Sequence, residues 1–465
     1  MASVLFDSII YRDSWGTKEM RQIFDEKQML QRWLDIEVAL AEVEADLGII
    51  PKEAAIEFKK KANVDLLDME FMQKKYEETG HSLMPLLNNF KDICDNELGE
   101  YVHWGPTTQD IADTGMVMAL NEAVQIIWRD IIDLEDSLMK LALKHKLTLM
   151  AGRTHGQQAQ PTTFGVKVAV WLREVSRHIQ RLEESMNRLL VINLCGGVGN
   201  YASFKGKGIY IEKNVAEKLG LSISDAPWHT ARDRFAEFGH LLSMIGTTCG
   251  KIGNEVYELQ KTEIGELIEP NAPGQIGSST MPHKRNPEIA EALNGLSKVS
   301  RHLSSLISEC MLVEHERDGA AWKPEWIAIP QICLVTGTIL EKIKFMVEGL
   351  GVDESRMKEN LGLLKGLILS ERVMLALAEK LGKLKAHGIV HDIAMRFHNE
   401  GLDFKEGLKC RSEVAENFSD EEIDHLLDAS TYIGQSEEIV DRAIQITEIE
   451  RSKRGTNQRI TIKNL

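Results

Sequence analysis

From Val117 the apolar positions run Val117, Leu120, Val124, Ile127, Ile131, Leu134, Leu138 and Leu141, in alternating steps of three and four. That spacing keeps one stripe on one side of a helix for about seven turns. A second series, Val168, Leu172, Val175, Ile179, Leu182, Met186 and Leu189, runs down to Cys195-Gly196-Gly197-Val198-Gly199, where a helix should stop. Further helical stretches extend from about Arg234 to Glu266, from Pro287 to about Leu312 and from Pro330 to Leu350, making five long central helices. Ahead of them Met29 to Leu47 is a shorter amphipathic helix halted by Gly48 and Pro51, and after them Ser370 to Leu381 and His387 to Phe397 read as helices. No stretch shows convincing strand alternation. The pattern predicts an all-α chain of three helical domains: 1–111, a bundle of five long helices over 112–351, and 352–465. A helix of about 25 residues spans nearly 40 Å, more than one domain needs, so a homo-oligomer built on these helices is expected.

Composition narrows the partners. Asp plus Glu outnumber Lys plus Arg by 71 to 55 over 465 residues, a net charge of -16, which repels phosphate backbones and argues against a nucleic-acid partner. No apolar run reaches the roughly 18 residues of a membrane span. The start MASVLFDSIIYRDSW lacks the basic-then-apolar order of a secretory signal, so the expectation is a cytoplasmic protein with no membrane partner. The six cysteines contain no CxxC pair, which argues against a disulfide framework or a zinc ribbon, and no metal site is expected.

Three segments concentrate chemistry. The stretch from Asn271 to Pro287 carries Gly277-Ser278-Ser279-Thr280-Met281-Pro282-His283-Lys284-Arg285-Asn286, with Gly and Pro at both ends and in the middle. No continuous helix can pass through it, so it is a loop between two long helices, suited to gripping an anion and closing over it. Tyr101-Val102-His103-Trp104-Gly105-Pro106-Thr107-Thr108-Gln109-Asp110 leads into the first long helix. That places Thr107 and Thr108 at its positive N-terminus, a ready carboxylate site, with plain capping by Thr108 or Asp110 as the competing explanation. Gly152-Arg153-Thr154-His155-Gly156-Gln157-Gln158 precedes the second long helix, with His155 in a turn. A lone loop histidine is more often structural than catalytic, so the inference rests on the three clusters converging. With no P-loop, no GxGxxG after a strand and no GxSxG, the inventory points to cofactor-free acid–base chemistry on an anionic substrate.

GSSTMPHKRNP resembles the signature loop of the fumarase/aspartase superfamily, and HWGPTTQD, GRTHGQQAQPTTFG, GGVGNY, RDRFAEF and QKTEIGE follow the family's order over roughly residues 10 to 400. MPHKRNP is most similar to the branch of adenylosuccinate lyases and 3-carboxy-cis,cis-muconate cycloisomerases. The resemblance implies an all-helical three-domain fold, a homotetramer with active sites shared between subunits, a small polycarboxylate substrate, no cofactor, and anti elimination of fumarate from a substituted succinate. By motif match Ser278 is the base, His155 the acid and Glu291 the carboxylate that orients it. His81, in Thr79-Gly80-His81-Ser82, and His103 match substrate-binding histidines. Lys284, Asn286, Thr107 and Thr108 match an anion hole, and Arg153, Thr154, Ser279, Met281 and Arg317 complete the substrate contacts.

Departures within the branch bear on the leaving group. Where adenylosuccinate lyases place phosphate-gripping arginines, this chain has Ser14-Trp15 and Trp322-Lys323-Pro324-Glu325-Trp326. The tryptophans resemble the cycloisomerases, whose bacterial members have Trp where this chain has His155. The leading expectation is a carbon–nitrogen lyase of the adenylosuccinate type acting on an N-substituted succinate, nucleotide or not. The alternative is a lactonising cycloisomerase. A catalytically silent scaffold is disfavoured, because it has no need to keep Ser278, His155, Lys284 and Glu291.

Overall fold

Direction in the central bundle can be read from its side-chain pairs. The structure, a computed structural model, describes residues 4–454 apart from 273, 275 and 402. Its longer helices are labelled here in chain order: α1 Glu26–Asp46, α2 Thr108–Lys144, α3 Phe164–Leu189, α4 Asp233–Leu259, α5 Glu288–Glu309, α6 Glu325–Glu348, α7 Ser370–Leu381, α8 Lys383–Glu400 and α9 Ser436–Arg454. Lys167 pairs with Glu255 and Arg188 with Glu237, so α3 and α4 are antiparallel. Asn294 bonds Asn254 and Ser304 bonds His240, so α5 runs back along α4. Arg232 reaches Glu325 while Lys344 reaches Asp130 and Asp133, which makes α6 parallel to α2 and α4. The result is an up-down bundle in which the starts of α2, α4 and α6 share one end with the last turns of α3 and α5.

The apolar stripe read from the sequence is the seam of this bundle. Val117, Leu120, Val124, Ile127, Leu134 and Leu138 are fully buried in one cluster with Val168, Leu172, Ile179 and Leu182. A second cluster joins Leu34 and Ile36 of α1 to Phe58, Leu86, Phe90 and Ile111, and a third joins Leu377 of α7 to Phe404 and Leu408. At Gly115 the two helices touch: a Cβ there would lie 2.7 Å from the Trp33 ring, so α1 and α2 could not approach as they do with any larger residue. The C-terminal α9 returns to the bundle, where Glu450 takes both guanidinium nitrogens of Arg173 and Arg451 pairs with Asp136.

The secondary structure departs from the sequence reading at α6, at α4 and in its strands. α6 begins at Glu325, ahead of Pro330, which sits inside the helix with its missing N–H in the second turn. α4 ends at Leu259, where a turn through Gly265 (φ 65°) takes over. Strands also occur: β1 (Leu149–Thr154) and β2 (Gln157–Thr163) form an antiparallel hairpin, and β3 (Leu267–Ile268) pairs with β4 (Gly351–Val352). The hairpin escaped the pattern because β2 alternates weakly, with Gln157, Gln158 and Gln160 all polar.

The segment Gly319–Glu348 is apolar enough by length and composition to cross a bilayer, contrary to the expectation that no run would be. Two thirds of its most apolar window, 67%, is buried inside the bundle, and Glu325 within the segment is paired with Arg232, so it is read as the core helix of the bundle.

Candidate active site

At one end of the bundle the polar residues around the start of α2 are tied down by a single carboxylate. Asp110, fully buried, accepts the Thr107 and Gly196 N–H groups at 2.9 Å on Oδ2 and the Cys195 N–H at 3.1 Å on Oδ1, and Oδ1 lies 2.7 Å from His229 Nε2. This joins the helix N-terminus to the Cys195-Gly196-Gly197 turn. Thr108 Oγ1 sits 3.4 Å from His81 Nε2. His81 Nδ1 accepts the Leu83 and Met84 N–H groups at 3.3 and 3.2 Å, which leaves Nε2 to face Thr108. His103 Nδ1 lies 2.7 Å from Glu37 of α1, and Arg317 donates to the Gly197 carbonyl at 2.5 Å.

A buried ionic cluster stands behind this surface. Asp113 accepts two guanidinium bonds from Arg232 (2.7 and 3.1 Å), one from Asn193 (3.0 Å) and the Trp322 indole N–H (2.9 Å). Arg232 also holds Glu325, whose carboxyl burial pushes up to about 7 against the pull of that guanidinium. The Trp322 ring is thereby fixed, with Trp326 packed edge-on at 4.9 Å between centroids.

The other end carries the hairpin and the signature loop. His155 and Gly156 form the two-residue turn between β1 and β2, both with positive φ (53° and 77°), the arrangement of a type I′ turn. His155 is thrust into solvent at its tip, beside the exposed Thr154. Arg153 is spent on structure: its guanidinium is bidentate to Glu266 (3.0 and 2.6 Å), which is fully buried and also takes Asn360 Nδ2 at 2.7 Å. That clamp holds the base of the hairpin.

The loop is fastened at its feet. Glu269 accepts the Ile289 and Ala290 N–H groups at 3.1 and 3.0 Å, so the residue entering the loop caps the helix that leaves it. Within the loop Gly277 lies against the Lys284 carbonyl, where a Cβ would come within 2.6 Å. Ser278 Oγ accepts the Met281 N–H at 3.1 Å and the Thr280 N–H at 3.4 Å. Two donors aimed at that oxygen favour it as an alkoxide, the form a base needs. Ser279, Met281 and Lys284 are exposed, and Asn286 is half-buried. Glu291 lies in the first turn of α5 and lines a cavity of about 280 Å³ with Asn254, Tyr257, Asn294 and Lys298. A larger groove of about 1560 Å³, lined by Arg21, Glu122, Arg129 and Lys213, holds none of the residues singled out by sequence.

The two ends do not meet within a chain. α4 starts beside Arg232, which grips Asp113, and ends seven residues before Glu266, which grips Arg153. Its 27 residues span about 40 Å. One chain therefore groups His81, His103, Thr107, Thr108 and Arg317 at one end, and His155, Ser278, Lys284 and Glu291 at the other. The carboxylates that hold both groups (Glu37, Asp113, Glu266 and Glu269) were not found by sequence. The available signal was Glu37 and Glu44 on the inward side of an amphipathic helix.

Comparison with known proteins shows the family. A family profile described as Lyase matches residues 14–299, and one described as Adenylosuccinate lyase C-terminus matches 366–443. An N-acetyl-S-(2-succino)cysteine lyase of Dickeya dadantii is 43% identical over 445 residues, covering 96% of this chain and 98% of that one. An adenylosuccinate lyase of Methanocaldococcus jannaschii is 39% identical over 93% of this chain and 94% of its own length. The solved 3-carboxy-cis,cis-muconate lactonizing enzyme of Pseudomonas putida superposes with a TM-score of 0.88 at 36% identity, covering 94% of this chain and 98% of that one. The chain belongs to the fumarase/aspartase superfamily, in the branch that holds the adenylosuccinate lyases and the 3-carboxy-cis,cis-muconate cycloisomerases.

Proposed function

We propose that this protein is a lyase that splits a thioether-substituted succinate into fumarate and a thiol, in active sites shared between the chains of a homotetramer. The observation that carries the reading is end-to-end identity of 43% with a relative named for a succinylated cysteine thioether, in a chain that keeps Ser278, His155, Lys284 and Glu291. The nitrogen leaving atom expected from sequence gives way here to sulfur. The absence of the phosphate-gripping arginines supports a leaving group without a nucleotide.

The chemistry follows from the groups present. The Ser278 alkoxide takes a proton from the succinyl carbon next to the carbon bearing sulfur, and the electron pair spreads into the adjacent carboxylate. Lys284, Asn286, Thr107, Thr108 and the loop N–H groups hold that doubly negative species. The pair then forms the fumarate double bond as the carbon–sulfur bond breaks, with its electrons leaving on sulfur. A thiol has a pKa near 8.5, so the thiolate departs with little help. His155, oriented by Glu291, supplies a proton where the leaving atom is more basic.

The oligomer is supported by two features. Small substrates cannot bridge about 40 Å, so a complete site needs the Thr107 end of one chain and the Ser278 end of another. Val170, Met244 and Phe345 on the long helices are 56%, 41% and 44% exposed, an apolar surface suited to burial against further copies. A division into 1–111, 112–351 and 352–465 is supported by the separate clusters around Phe58 and Phe90 and around Leu377 and Phe404, while the central cluster also takes in Met20 and Leu40 from the first unit and Met357 and Val440 from the last.

The test is a substrate panel: N-acetyl-S-(2-succinyl)cysteine, adenylosuccinate, N-succinyl amines and 3-carboxymuconate, followed by ultraviolet absorbance for fumarate and by a thiol reagent. Fumarate and thiol in equal amounts from the thioether, at a kcat/KM well above the others, is the expected result. Faster release from adenylosuccinate would overturn the leaving group, and loss of muconate absorbance with no fumarate from any succinyl compound would overturn elimination.

A further inference from the structure

His103 is held in an unusual way for a surface loop residue. Its backbone has φ 61°, a conformation that a non-glycine residue adopts at a cost, and its side chain is 18% exposed. Its Nδ1 meets Oε1 of Glu37 at 2.7 Å, 66 residues earlier in the chain. Glu37 is 1% exposed, and its other oxygen is buried with no partner. A carboxylate in that position is stable only beside a positive partner or with a proton of its own. Glu44, two turns further along the same helix, is equally buried and lacks a partner on Oε1.

We propose that Glu37 is a positioning residue that holds His103 as an imidazolium and fixes its Nε2–H outward, making it a cationic donor to a carboxylate of the substrate. The proposal rests on the reading of this end of the bundle as half of the active site. With Nδ1 committed to Glu37, only Nε2 remains for a ligand, and the ring cannot rotate without leaving the Glu37 charge unpaired. The charged groups facing the pair are Glu37 and Glu44 from α1, Asp110 from α2 and Lys205 from the loop after α3. Burial by itself would lower the His103 pKa, and the attraction of Glu37, with a smaller share from Asp110, outweighs it and raises it. Glu44 behaves differently: burial and the nearby Glu37 charge push its carboxyl up to about 8, so it carries a proton at neutral pH. Glu37, and not Glu44, is therefore the carboxylate that pairs with His103. Charge-assisted hydrogen bonds are roughly twice as strong as neutral ones, so an imidazolium at this point favours a dianionic substrate over a monoanionic analogue.

The experiment uses the full-length oligomer and succinate as the probe, with binding measured calorimetrically from pH 6 to pH 9, alongside KM and kcat on whichever substrate the panel identifies. In the wild type, succinate affinity falls as pH rises through the His103 pKa. Glu37→Gln should weaken succinate binding about tenfold or more at pH 7 and move the fall to lower pH by about one unit, with KM raised and kcat little changed. His103→Gln should abolish the pH step, and Glu37→Asp should restore part of it. Oligomeric state and melting temperature identify a variant that has failed to fold, in which case Glu37→Asp and His103→Gln decide the matter. An unchanged step in Glu37→Gln, or a step that persists in His103→Gln, would overturn the proposal while fumarate release stands. Failure of the panel with the step present in succinate binding would overturn the lyase reading and leave the Glu37–His103 pair in place.

Discussion

If one active site draws on two ends of the bundle from different chains, two dead variants should revive each other. Ser278→Ala removes the base at the loop end, and His81→Ala with Thr108→Ala removes the hydroxyl and imidazole at the other. Every chain in a mixture then carries one lesion. A site that took both halves from one chain would remain dead, whereas a site that takes them from two chains is intact when the loop comes from the second variant and the Thr108 end from the first. With equal, random mixing each condition is met half the time, so about a quarter of wild-type activity should return. The separation behind this is the length of α4, 27 residues or about 40 Å, far beyond the reach of any side chain. Co-expression with two affinity tags, purification through both, and fumarate absorbance give the measurement. Recovery below about one part in a hundred in verified mixed oligomers would refute the shared site.

Three further outcomes follow from the same geometry. Ser278→Ala alone should lower kcat by about three orders of magnitude or more with the melting temperature nearly unchanged, since Ser278 Oγ bonds only its own loop; retained turnover would remove the base assignment. His155→Asn should cost less than about tenfold on a thioether substrate and far more on an N-succinyl amine, because only the amine needs a proton to leave; equal losses on both would count against sulfur as the leaving atom. Glu44→Gln should become more stabilising as pH rises. The Glu44 pKa is raised from 4.5 to about 8 when folded, so its favourable contribution is complete below pH 4.5 and lost as pH climbs through 8. The gap between variant and wild type in urea melts should open by on the order of 4 kcal/mol between pH 4.5 and pH 8.5, and a gap independent of pH would refute the assignment.

The parts of the fold that came from sequence are those written in local order. Val117 to Leu141 declares its helix because the apolar step repeats for seven turns, and α7 falls on the expected Ser370–Leu381, with Val373 and Leu377 buried and Gly382 at its end. The β1–β2 hairpin did not declare itself, since Gly152, Gln157, Gln158 and Gln160 give neither period, and what fixes it is the Arg153–Glu266 clamp, 113 residues apart in sequence. The candidate chemistry shows the same division. Ser278, Lys284 and Asn286 stand within nine residues and were visible as a loop that no packing argument required. Asp113, Glu266 and Glu269 did not declare themselves, because an acidic residue on a helix or beside a short strand reads as solvated until its partner is known, and Glu37 was marked only by its place on the inward side of α1.

That division has a physical cause, and it sets what each kind of residue should do when changed. The groups offered to substrate are at most half-buried in a single chain, so little marks them except their density in a short segment. The carboxylates behind them are buried, and a buried charge survives only with a partner, which at this site comes from a distant element: 66 residues for Glu37–His103 and 119 for Asp113–Arg232. Loss of a group bonded within its own loop should therefore cost rate and leave stability, as at the half-buried Ser278. Loss of one partner in a buried pair leaves the other uncompensated, so Asp113→Ala should cost stability first, by about 3 kcal/mol or more, and disturb Trp322 and the start of α2 with it. A variant at Asp113 that kept full stability but lost activity would mean that this cluster touches substrate directly, and the line drawn here between the reacting groups and their supports would have to move inward.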